Sequence, residues 1–116
     1  MANDKIFEET LTEDGFGVRI VARADASMTD WLSTLNSSIG LSVDAKVPGD
    51  SWREIFSDTV GLAYEDWASF AGYGVGFRVS EIEQTGDRSG RVRLKLKAKI
   101  NGKKTTLDQT WVHFSV

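Results

Sequence analysis

Between Arg91 and Lys99 a cation stands at every second position: Arg91, Arg93, Lys95, Lys97 and Lys99. A β-strand sends alternate side chains to opposite faces, so this spacing sets all five charges on one face and Val92, Leu94, Leu96, Ala98 and Ile100 on the other. A row of fixed cations attracts polyanions over long range, and its chemistry is recognition of phosphate or carboxylate rather than bond making. The second group with chemical capacity surrounds His113, the single histidine of the chain, with Gln109 and Trp111 just before it and Tyr64 and Trp67 earlier. If these residues converge, they form a candidate small-molecule pocket with aromatic walls and two polar groups that need partners. One histidine cannot build a multi-histidine zinc site, and no local order signals a Ser-His-Asp arrangement. A lone inward histidine is more often a satisfied structural residue, so no catalytic residue, metal or cofactor is assigned.

The segment Gly72-Tyr73-Gly74-Val75-Gly76-Phe77 has the glycine density of a phosphate cradle. Such cradles follow a strand and open a helix, whereas this segment follows an expected helix and opens an expected strand. A helix C-cap leading into a glycine-thinned strand is the expectation here.

These residues need elements to hold them, and the turn signals define several. Asn101-Gly102 is the preferred sequence of a two-residue type I′ hairpin turn, which joins strands over 91–100 and 103–116. Counting outward from that turn pairs Ile100 with Lys103, Leu96 with Leu107, Lys95 with Asp108, Leu94 with Gln109 and Val92 with Trp111. This register directs Leu107, Gln109, Trp111 and His113 inward and leaves Val112, Phe114 and Val116 outside. Either a covering element or a bulge must then deal with the apolar end. Asp14-Gly15 marks a second hairpin, between Lys5–Leu11 and Phe16–Arg23, with Phe16, Val18, Ile20 and Ala22 sharing one face.

Between the hairpins the spacing predicts helices. Trp31, Leu32, Leu35 and Ile39 follow capping residues Ser27 to Asp30, and Asp50 precedes Trp52, Ile55, Phe56 and Val60. Tyr64, Trp67 and Phe70 fall close to one stripe of a third helix over 62–71. The expected order is β-β-α-α-α-β-β-β, an α+β domain over 1–116. In it the N-terminal hairpin and a C-terminal three-stranded meander form one antiparallel sheet, with two to three helices packed on one face.

Composition sets the outer bounds. The chain has 116 residues, 41% hydrophobic and 27% charged, the balance of a globular domain that fills its core without staples. The absence of cysteine removes disulfides, thiolate metal sites and cysteine nucleophiles together. No signal-like start or membrane-length apolar run is present, so the cytoplasm is the expected location and no membrane partner is expected. Residues 1–74 carry 13 acidic and 5 basic side chains, and residues 75–116 carry 4 and 9, so a net −3 conceals −8 against +5. The expected function is therefore a non-enzymatic binding or assembly module that meets an acidic protein surface, or another copy of itself, through the five-cation face. Nucleic acid ranks lower, because single-strand platforms also need aromatics on the same face and this face offers none between Arg91 and Lys99. A pocket around His113 is the alternative.

Overall fold

The computed structural model describes residues 4–24 and 30–116. Among them the chain forms eight strands and one helix: β1 Asp4–Glu13, β2 Phe16–Ala24, α1 Trp31–Ser37, β3 Ile39–Lys46, β4 Arg53–Val60, β5 Tyr64–Phe70, β6 Tyr73–Gly86, β7 Ser89–Ile100 and β8 Lys103–Ser115. Sequential antiparallel pairing builds a first sheet in the order β1-β2-β3-β4 and a second in the order β5-β6-β7-β8. The expected α+β arrangement is thus corrected to an all-antiparallel, two-sheet architecture with one short helix. The apolar face of the C-terminal strands packs on the N-terminal sheet and not on helices.

Two of the three expected helices are strands, and local geometry explains the false periodicity. In β4 a bulge lies where Val43 pairs with Phe56 and Asp44 with Glu54, leaving Ile55 as the extra residue. The bulge sets Ile55 and Phe56 side by side as apolar neighbours, which imitates helical spacing. In β5 the residues Tyr64, Trp67 and Phe70 are three apart, and on a strand an odd interval alternates faces. Tyr64 turns inward onto Phe56 and Phe77, with ring centroids 4.9 and 6.2 Å away, while Trp67 turns outward. The expected C-cap at Gly72 is likewise a hairpin turn, with Ala71 and Gly72 both at positive φ, 52° and 82°. Asp14-Gly15 and Asn101-Gly102 adopt the same left-handed pair, the conformation their sequences favour.

The first helix is real but shorter than its spacing predicts. Asp30 is its N-cap, its carboxylate accepting from Ser33 N, and Ile39 already belongs to β3. The Ser27 part of the expected cap lies outside the described residues. Trp31 and Leu35 are buried, Trp31 against Phe114 at 6.4 Å, and Leu35 O accepts from Leu62 N. The helix therefore plugs one end of the space between the sheets.

That space holds one continuous apolar cluster. Val18, Ile20, Leu41, Val43 and Ala45 from the first sheet meet Val75, Phe77, Leu94, Leu96 and Ala98 from the second, each at most 1% exposed. Phe7 of β1 meets Phe114 of β8 at 5.8 Å along one side. On the other side Phe56 packs on Tyr64 and the Arg53 guanidinium lies 4.4 Å above the Phe70 ring. Apolar burial on this scale is the main stabilising contribution to the fold.

Candidate binding face on the second sheet

One inserted residue decides which side chains share the cationic face. The hairpin leaves its turn as expected, Ile100 with Lys103 and Lys97 with Thr106, but the register then shifts so that Leu96 pairs with Asp108. Leu107 is the extra residue. Beyond it Lys95 pairs with Gln109, Arg93 with Trp111 and Arg91 with His113. The expected pairings of Leu96 with Leu107, Lys95 with Asp108, Leu94 with Gln109 and Val92 with Trp111 are corrected accordingly. The bulge turns Val112 and Phe114 into the core, 7% and 5% exposed, and moves Gln109, Trp111 and His113 out beside the cations. The physical reason is burial: exposing a valine and a phenylalanine would cost several kcal/mol, more than one irregular ladder position.

The expected pocket does not assemble. Trp67, Gln109, Trp111 and His113 lie on the outer face of the second sheet, and only Tyr64 of the five points between the sheets. What assembles in its place is a surface on which each tryptophan is associated with cations. The Arg91 and Arg93 guanidiniums lie 4.1 and 4.4 Å from the Trp111 ring centre. The Lys104 and Lys97 ammonium groups lie 4.7 and 5.9 Å from that of Trp67. Glycine is required beneath Trp67, because a Cβ at Gly76 would come within 2.6–2.9 Å of its indole. The glycine-thinned start of β6 thus serves as a floor on which the ring lies against the sheet.

Carboxylates hold part of this network in place. Glu65 accepts from Trp67 Nε1 at 3.0 Å and from Arg78 and Lys97 at 3.2 Å each. The Trp67 hydrogen bond chiefly, then Lys97 and Arg78, outweigh the effect of burial and lower its pKa from 4.5 to about 2. Glu83 takes a forked contact from Arg91, with Nη2 at 2.8 and 3.1 Å and Nε at 3.2 Å. Arg93 donates to Gln109 Oε1 at 2.9 Å. Its buried Nε lies 3.1 Å from Glu81 Oε2 but lacks the alignment of a hydrogen bond, so that contact is an ion pair only. Glu81 reaches this position from a bulge in β6 between Ser80 and Glu83, where its φ of 58° is left-handed.

The five-cation row is therefore of two kinds. Arg91, Arg93 and Lys97 are engaged by carboxylates, whereas Lys95 and Lys99 have no ion-pair partner among the described residues. Lys99 crosses over Gly74 and borders an open cleft of about 540 Å³ lined also by Ser69, Tyr73 and Asn101. No family model, curated protein or solved structure matches the chain. The functional reading rests on this geometry alone.

Sequence reasoning missed Trp67, Trp111 and Lys104 as members of the cationic face. The signal for Trp111 was present in the stranded outward Val112 and Phe114, which a bulge corrects. For Trp67 it was the strand preference of a segment dense in aromatic residues. Elsewhere, a cleft of about 280 Å³ on the first sheet is lined by Arg23, Ser42, Ser57, Asp58 and Thr59. Among the described residues no cluster of three or more potential metal ligands occurs, and no helix is long and apolar enough to cross a membrane.

Proposed function

We propose that this chain is a binding module that holds an acidic macromolecule on the outer face of its second sheet. The supporting observation is the combination of Lys95, Lys99 and Lys104, cations without acidic partners among the described residues, with Arg91, Arg93 and Lys97 fixed beside them on a rigid sheet. Carboxylate-anchored guanidiniums do not need reordering on binding, and unpaired ammonium groups supply the net attraction. The pairing of Glu65, Glu81 and Glu83 with their cations limits the affinity to what the unpaired lysines contribute. The face is thus suited to moderate, salt-sensitive binding.

The test is retention on immobilised inorganic polyphosphate across a salt gradient. Wild-type protein is expected to bind at low salt, and a Lys95→Glu/Lys99→Glu variant with unchanged circular dichroism is expected to flow through. Equal retention of a folded variant, or no retention of the wild type, contradicts the proposal.

A further inference from the structure

Resting on the reading of this face as a polyanion site, we infer that its ligand is a single-stranded nucleic acid, with Trp67 and Trp111 as stacking platforms for bases. Cations alone suffice for the charge of an acidic protein surface, whereas a single strand presents phosphates and unstacked bases together and uses both the cations and the two indoles laid among them. The positions fit one path. Trp67 on β5 is level with Lys97 through Gly76, and Trp111 on β8 is level with Arg93. With strands ~4.8 Å apart and a rise of ~3.3 Å per residue, the diagonal between the two backbone positions is roughly 19 Å, a span of several nucleotides. Lys95 stands midway on that diagonal, paired with Gln109, whose amide adds a donor and an acceptor. Lys104 and Lys99 flank the Trp67 end beside the open cleft.

Duplex nucleic acid buries its bases in the stack and does not offer them to a flat sheet. Selectivity for single strands is therefore part of the inference. With three unpaired lysines as phosphate contacts, the logarithm of the association constant falls against the logarithm of salt with a slope of about −2. Loss of either indole weakens binding at least about fivefold, from stacking worth ~1–3 kcal/mol per base.

The experiment titrates the chain with an oligothymidylate of ~16 nucleotides, the corresponding duplex, inorganic polyphosphate and polyglutamate of matched charge, following anisotropy and tryptophan fluorescence. Expected results are tightest binding to the single strand and quenching that is lost in Trp67→Phe/Trp111→Phe but kept in Trp52→Phe. Trp67→Ala and Trp111→Ala, checked for folding by circular dichroism, should each weaken the complex. If the duplex, polyphosphate or polyglutamate binds as well as the single strand and the tryptophan variants bind like wild type, the nucleic-acid inference is overturned while the polyanion face stands. If none of the four binds, both are overturned.

Discussion

Glu65 shows how this surface is fixed at the level of single side chains. Its two oxygens receive an indole, a guanidinium and an ammonium donor, and these stabilise its charged form over its neutral one. The folded pKa of about 2 lies below the ordinary 4.5, so the stabilisation is complete above pH 4.5 and disappears as pH falls towards 2. With Glu65 partly exposed, the amount is about 1–2 kcal/mol after allowance for solvent screening. Urea midpoints measured from pH 5 to 2 are expected to fall more steeply for wild type than for Glu65→Gln. Parallel curves would remove Glu65 from the network. The type of each residue was plain in the sequence, but these partnerships were not, since Glu65, Arg78 and Lys97 come from three strands whose pairing requires the whole sheet.

At the level of elements, turn chemistry was legible throughout and alternation was legible between inserted residues. The turns at Asp14-Gly15 and Asn101-Gly102, the buried face of Phe16 to Ala22 and the alternation of β7 were all readable in this way. Bulges broke the count, at Ile6, at Ile55, at Glu81-Ile82, at Thr85 and at Leu107, because a period of two carries no marker of one extra residue. Ala71 in a left-handed turn was equally silent, since nothing about alanine announces that conformation. Leu107 permits a direct test. Deleting it removes the bulge yet leaves Asp108 opposite Leu96 and Val112 and Phe114 facing the core, so a loss of no more than about 1–2 kcal/mol in unfolding free energy is expected. Inserting one alanine between Gln109 and Thr110 instead turns Trp111 and His113 inward and Val112 and Phe114 out, and a loss of about 3 kcal/mol or more is expected from urea denaturation. Similar stabilities for the two variants would mean that the register beyond the bulge does not determine which face is buried.

Across the whole molecule the charge segregation seen along the chain becomes a separation between layers. The described residues through Val60 hold 10 acidic and 5 basic side chains, and residues 64–116 hold 6 and 9. The outer surface of one sheet therefore attracts what the other repels, and an approaching polyanion is oriented before contact. The charge split was visible in the sequence. Its meaning was not, because the helices expected between the hairpins concealed that residues 39–70 supply three of the eight strands. The most direct test of the binding face is an amide and indole chemical-shift map with inorganic polyphosphate, using the intact chain. Perturbations are expected at Lys95, Lys99, Lys104 and the indoles of Trp67 and Trp111, with Trp52 and the Arg23 to Thr59 cleft unchanged. Shifts concentrated on the first sheet, or spread evenly over both, would contradict the assignment.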